Sequence, residues 1–395
     1  MSKRSLKTVA VLLAAALCGG VAAVTPAQAT QPEGKLRGEV ERVLKEAGFV
    51  GISVEVRDGD RRVRARAGTA ELGTDKPVPY GANFRADSAT KPFVATVVLQ
   101  LAAEGRLSLD DTVERWLPGV VEGNGNDGGK VTLRHLLQHT SGLHNYTNDM
   151  DYDAAGFEEH RYEHLTPEQL VAGAMRSAPD FPPGEPGDPE PEWNYSNTNY
   201  VLAGMVIERV TGRSWREEVR DRIVRPLGLT RTYAPGDDPT LPAPHAHNYH
   251  RFPGSTGWTD TTVRNMSWAD AAGELVTSQR DLDRFFTALL KGRLLPPAQL
   301  AEMRRVVPAG ADFQIAFPGL HYGLGLMRQP LECGGYRWGH GGSAEGDFVR
   351  NGFTEDGRRS VVITASGSVP EEGPLLRAEA ALQKLTDTAL CEGVK

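Results

Sequence analysis

Cysteine is scarce in this chain, at three among 395 residues. Cys18 falls in the first 29 residues, which leaves Cys333 and Cys391. So few thiols exclude a cysteine-rich zinc or disulfide scaffold. A basic surplus is also missing: 44 Lys and Arg face 51 Asp and Glu, a formal net charge of −7. Three of the basic residues, Lys3, Arg4 and Lys7, stand before residue 30 with no acid among them, so the remainder carries −10. That sign argues against nucleic acid as a partner and against electrostatic docking on an anionic surface. Beyond residue 29 no apolar run approaches the ~20 residues that cross a bilayer. The zinc-protease pattern is absent too, because His135 and His139 are four apart without its glutamate. His245, His247 and His250 lie in a Pro-rich stretch with no carboxylate or cysteine at ligand spacing. No metal and no organic cofactor is expected.

What is present begins with an export signal. Lys3, Arg4 and Lys7 form a positive start, Val9 to Val24 is small and apolar, and Ala27-Gln28-Ala29 is a small-x-small cleavage site. The apolar run of about 16 residues is short for a membrane anchor. Leu17 before Cys18 is too bulky for a lipoprotein cleavage position. Residues 1–29 are therefore expected to be removed, leaving a secreted chain without a membrane span. In an oxidising compartment Cys333 and Cys391 suggest one disulfide, the alternative being two buried thiols. Closing that loop of 58 residues contributes about 4 kcal/mol on the chain-entropy relation.

The mature chain is too long for one simple core, and two interlocked subdomains are expected. Residues 35–47 have helical apolar spacing, Val50–Val56 and Arg62–Ala67 alternate as strands, and Asp58-Gly59-Asp60 turns between them. A helix runs from Ser88 to about Glu104. Helices are expected at Thr132–His139, Pro167–Met175, Tyr200–Val210 and Trp215–Val224, with an irregular acidic, Pro/Gly-rich loop over 180–191. Ser278 caps a helix to Leu290. Strands are expected at His321–Met327, Tyr336–His340, Glu345–Gly352 and Ser360–Thr364, and a last helix over Pro374–Leu390. This order predicts an α/β domain built from 30–109 and 266–395, with a mainly helical insertion at 110–265.

Ser88-Ala89-Thr90-Lys91 precedes the apolar run Phe93–Leu99. Residues three apart share a helical face, so the Lys91 ammonium falls beside the Ser88 hydroxyl. A serine hydroxyl needs such a neighbour to act as a nucleophile. Taken alone, the pattern is most often a solvated helix start. Tyr195-Ser196-Asn197 and His340-Gly341-Gly342-Ser343 follow in order. These three motifs, with Thr140-Ser141-Gly142-Leu143, Ser267-Trp268-Ala269 and Tyr322-Gly323-Leu324-Gly325-Leu326, resemble the penicillin-binding serine hydrolases. That family holds the D,D-peptidases and class C β-lactamases, and the likeness is greatest to secreted actinobacterial D-alanyl-D-alanine carboxypeptidases.

The resemblance implies a β-lactamase/D,D-peptidase-like fold, an antiparallel sheet flanked by helices with an all-helical subdomain. It implies an acyl-enzyme on Ser88, with Lys91 lowering neighbouring pKa values and Tyr195, as a phenolate beside Lys91, taking the Ser88 proton. Asn197 would hold substrate and lysine. The backbone N–H groups of Ser88 and Ser343 would form the oxyanion hole, with Gly341 and Gly342 letting substrate lie close. His340 would position its strand and tune Tyr195, and Trp268 would wall the cleft, a core tryptophan being the plainer alternative. Peptidoglycan stem peptides ending in D-Ala-D-Ala, or β-lactams, would be the ligands of a monomer. Three departures bear on the leaving group. Met327 stands where relatives carry a carboxylate-binding arginine, with Arg328 one place later; Gly341 replaces a threonine; and Asp151 replaces an aromatic. D-aminopeptidases, esterases and β-lactamases of the family, or a penicillin-binding sensor without turnover, are the alternatives.

Overall fold

The computed structural model describes residues 31–150, 153–185, 187–368 and 371–392. The expected export signal and Asp151 lie outside the described residues. The main sheet has nine strands, and every recorded pairing in it is antiparallel. Its order is Arg61–Gly68, Gly51–Asp58, Arg359–Ser366, Asp347–Thr354, Tyr336–Gly339, Met327–Pro330, His321–Tyr322 and Val307–Pro308, with the short Gly342–Ala344 paired onto Asp347–Thr354. The chain's two ends thus meet in mid-sheet, where Gly51–Asp58 pairs with Arg359–Ser366 over eight residues.

Alternation explains how the sheet is covered. Ile52, Val54 and Val56 are buried against the terminal helices Gln31–Ala47 and Glu372–Glu392, with Val40, Val43, Leu382 and Leu385 opposite them. The other face of the same strand carries Ser53, Glu55 and Arg57, all buried. They are matched by polar groups of the helix Gln279–Leu290: Gln279 Nε2 donates to Ser53 O at 3.0 Å, and Arg57 pairs with Asp283. Cys333 and Cys391 form a disulfide that ties the end of the C-terminal helix to the turn after Met327–Pro330.

A larger apolar core lies under the other face. It packs the helix Lys91–Ala103 against Asn197–Thr211, with Leu133–Gln138 on the latter and Phe93 stacked on Phe285 of Gln279–Leu290. One expectation fails here. His321–Met327 is not a continuous strand: Gly323 N–H bonds Leu326 O at 2.7 Å, so 323–326 turn between two short strands. Glycine in a strand-like run marks such a break. Among the described residues no helix is long and apolar enough to cross a membrane.

Candidate active site

Asp87–Thr90 form a 3₁₀ turn that feeds the helix Lys91–Ala103. Pro92 sits in the helix's first turn, where its missing N–H costs nothing. Phe93, Val94, Val97 and Val98 bury the helix all round, and Lys91 is buried with them. The Lys91 ammonium has three donors, and each finds an oxygen: Ser88 Oγ at 2.9 Å, Asn197 Oδ1 at 2.8 Å and the Ala272 carbonyl at 2.8 Å. None is a carboxylate. Burial pushes the Lys91 pKa well below the lysine range, and an ionised Asp87 would oppose this only in part.

Asn197 opens the helix Asn197–Thr211, and its Nδ2 donates to Thr147 Oγ1 at 3.2 Å. Tyr195 lies two residues earlier, its ring 4.8 Å beneath Lys91 Nζ and stacked on Phe313 at 5.2 Å. Part of the ring opens to a cavity, but the phenol is enclosed by protein. Burial therefore drives its pKa up, against smaller downward pulls from a hydrogen bond with Ser88 and from Arg350. Burial thus works against the expected phenolate. A lysine whose own charge is disfavoured cannot supply the field that would ionise Tyr195.

His340 is buried, with Nδ1 2.7 Å from the Gly341 carbonyl and Nε2 2.8 Å from Tyr322 Oη. A carbonyl only accepts, so Nδ1 carries the proton and Nε2 accepts from the tyrosine. Burial and the nearby Lys91 lower the His340 pKa to about 3. Its hydrogen-bond partner is Tyr322, while the Tyr195 ring is 6.4 Å away, so its direct contact is with Tyr322 and not with Tyr195. Behind Tyr195 lies a residue that sequence reasoning set aside. His139 is buried, 4.3 Å from the Tyr195 ring, and its Nδ1 accepts from Ser196 N–H and faces Asn199 Nδ2.

The strand Gly342–Ala344 passes directly over the Ser88 turn. A Cβ on Gly342 would lie 2.9 Å from Ser88 N and 2.5 Å from Ala86 O, so no side chain fits there. Ser343 is exposed at the cleft edge. A Cβ on Gly341 would lie 2.9 Å from the Val349 carbonyl and 3.2 Å from Arg350 Nη1. The glycine thus makes room for Arg350. That guanidinium donates to the Gly342 carbonyl at 2.6 Å and pairs with Glu379 of the C-terminal helix through Nε at 2.8 Å.

A cavity of about 320 Å³ opens from Ser88, walled by Tyr195, Phe313, Phe317, Met327 and Leu375. Met327 faces this space, whereas Arg328 stacks on Tyr336 at 4.3 Å. Trp268 lines a smaller hollow on the other side of Ser88 with Asp87, Asn197 and Ser343. Four non-glycine residues among those described have positive φ, and three border the site: Asp87 at 47°, His139 at 64° and Asp270 at 39°. Strain of this kind persists where surrounding packing enforces it, and it gathers at functional sites. Arg350, Glu379, Phe313 and His139 were not found from sequence. They reach the site from distant elements, and no local spacing announces them.

The fold and this cluster define a serine hydrolase. The Beta-lactamase family model matches residues 36–386, and the chain belongs to that family. Among solved structures, a D-stereospecific amidohydrolase from Streptomyces sp. is 42% identical, with a TM-score of 0.78, covering 88% of this chain and 98% of that one. A D-amino acid amidase from Ochrobactrum anthropi SV3 is 26% identical, with a TM-score of 0.73, covering 89% of this chain and 99% of that one. Penicillin-binding protein 4* of Bacillus subtilis is 32% identical over 47% of this chain, which spans 38% of that relative's length.

Proposed function

We propose that this protein hydrolyses amides of D-amino acids through an acyl-enzyme on Ser88. The observation that carries the reading is the character of the cavity beside Ser88. Much of its wall is apolar, and the two cations that line it are already engaged, Arg350 by Glu379 and the Gly342 carbonyl and Arg337 by Asp387 and Gln329. Such a space suits a neutral or apolar group and offers little to a free C-terminal carboxylate. The similarity to D-stereospecific amidohydrolase and D-amino acid amidase supports the same substrate class.

In this reading Ser88 Oγ attacks the amide carbon and Lys91, as a neutral amine, accepts the hydroxyl proton. The backbone N–H groups of Ser88 and Ser343 hold the developing oxyanion, each worth about 3 kcal/mol. The C–N bond breaks as the Tyr195 hydroxyl gives its proton to the leaving nitrogen, and the proton on Lys91 restores the phenol. Water then repeats the sequence on the acyl-enzyme. Asn197 fixes Lys91, and Trp268 bounds the acyl side. No cofactor enters. The enzyme is exported and monomeric in this reading, and the disulfide suits an oxidising compartment.

A second reading, D-alanyl-D-alanine carboxypeptidase on peptidoglycan stem peptides, is favoured by the penicillin-binding relative. One experiment separates the two. Turnover of a D-amino acid amide is compared with turnover of a peptide ending in D-Ala-D-Ala, alongside intact mass after incubation with a β-lactam. Faster amide turnover, with any adduct on Ser88, is expected. Preference for the free carboxylate installs the second reading, and full activity of Ser88→Ala ends both.

A further inference from the structure

We propose that Asp87 is a positioning residue: its carboxyl group, held protonated, donates a hydrogen bond to the Asp347 carboxylate and so fastens the Ser88 turn to the hairpin that bears Ser343. The inference rests on the reading of Ser88 as nucleophile and of Ser88 and Ser343 as oxyanion donors.

Asp87 is buried immediately before Ser88 and holds φ at 47°, a region glycine occupies at no steric cost. The strained position therefore calls for a use of its side chain. Neither Asp87 oxygen receives a hydrogen bond from any N–H donor. The group set against it is the Asp347 carboxyl, and each of the two acts on the other. Asp347 is differently placed. Its Oδ2 accepts from Asn248 Nδ2 at 2.8 Å, its Oδ1 accepts from Ala344 N–H at 3.2 Å, and Arg264 Nη2 stands 3.5 Å away. Two touching carboxyl groups in a dry site cannot both ionise. The one supplied with donors keeps the charge, and the one without them keeps the proton. Burial raises the pKa of both groups, and of Asp87 well above the carboxylate range.

The location gives this bond its purpose. Asp347 opposes Ala344 across the hairpin, and Ser343 opposes Phe348. On the other side, Gly342 approaches Asp87 and Ser88 so closely that a Cβ there would lie 2.8 Å from Asp87 Cβ. The spacing of the Ser88 and Ser343 N–H groups is thus set where the turn and the hairpin meet. The charged groups around Asp87 are Lys91 on its own segment, Arg85 on the adjoining strand, Arg264 with its partner Glu345, and Asp347. Ionising Asp87 would set two anions against each other under the oxyanion site. It would also favour the charged form of Lys91, which the mechanism needs neutral.

The test is kcat and KM against pH for the mature enzyme and two variants, using D-alanine p-nitroanilide. Asp87→Asn keeps a donor and tolerates left-handed backbone, but it cannot ionise. We expect its kcat to stay within about two-fold of wild type near neutral pH, with the alkaline limb displaced upward by at least about one unit. Asp87→Ala should lose about ten-fold in kcat with KM little changed, the scale of one buried hydrogen bond. Should the alanine variant fail to fold, the alkaline limb of the asparagine variant decides. An unmoved limb, or an asparagine variant as impaired as alanine, overturns the proposal. Wild-type labelling by a β-lactam anywhere but Ser88 would instead overturn the reading beneath it.

Discussion

Lys91 Nζ stands 2.8 Å from Asn197 Oδ1, and neutral oxygens take all three of its hydrogen bonds. An amine desolvated this way, without a hydrogen-bonded carboxylate, gives up its proton far below the usual pH. That is what a base for Ser88 requires.

The first prediction follows from that displaced equilibrium. The acid limb of kcat/KM belongs to Lys91, with activity rising as pH climbs through its lowered pKa. Lys91→Arg keeps a charge that cannot be shed, and acylation should fall about 10²–10⁴-fold, the range of general base catalysis. The sign for stability is the reverse of an ordinary lysine. Between the folded pKa and the unfolded value of 10.5 the unfolded chain binds more protons, so Lys91 destabilises the fold there, and the penalty shrinks as pH rises. Lys91→Met should therefore be inactive yet melt no lower than wild type at pH 6. A clear drop in its Tm would show that the lysine is buried charged.

Tyr195→Phe isolates the phenol. The ring contacts with His139 and Phe313 survive the change, while the proton for the leaving nitrogen is lost. A fall of about 10²–10⁴ in kcat is expected for amides. The loss should be much smaller for activated esters, whose leaving groups need no proton. Stopped-flow rates on a matched amide and ester measure the difference, and equal losses on both would remove Tyr195 from proton delivery.

The reach of sequence reasoning followed the reach of local geometry. Ser88 and Lys91 are three residues apart, Tyr195 and Asn197 two, and His340 to Ser343 are contiguous, so each motif was visible as text. Strand alternation at Ile52, Val54 and Val56 and the apolar helix after Lys91 likewise located the sheet and the core. What sequence hid was environment. The protonation state of Tyr195 depends on burial by distant elements. Arg350 and Glu379 meet only because the C-terminal helix packs on the strand Asp347–Thr354. The turn at 323–326 was missed because its flanks look like strand. His139 looked idle because its role depends on the left-handed backbone that ends its helix.

His340 carries the third prediction. Its folded pKa of about 3 lies below the unfolded 6.5, so its contribution to stability is complete above 6.5 and is lost as pH falls toward 3. The full difference amounts to about 5 kcal/mol on the linkage relation. Denaturation of wild type and His340→Asn between pH 7 and 4 should show the wild-type advantage shrinking steadily. Because His340 stays neutral throughout that interval, the acid limb of kcat/KM should sit at the same pH in both proteins. A limb that moves with the substitution would make His340 a titrating participant.

The cavity beside Ser88 yields the last prediction. Arg350 is neutralised there by Glu379, and Met327 adds an apolar wall. Glu379→Gln leaves the guanidinium without its counter-charge, and Met327→Arg introduces a cation into the same space. In each variant the ratio of D-Ala-D-Ala peptide turnover to D-amino acid amide turnover should rise about ten-fold, equivalent to roughly 1.4 kcal/mol of charge pairing with the substrate carboxylate. Thermal stability of Glu379→Gln should fall by about 1–3 kcal/mol, the cost of leaving a half-buried charged group unpaired. Should neither variant change the ratio while both stay folded, the leaving group must occupy the hollow beside Trp268, and the apolar cavity must then receive the acyl side chain.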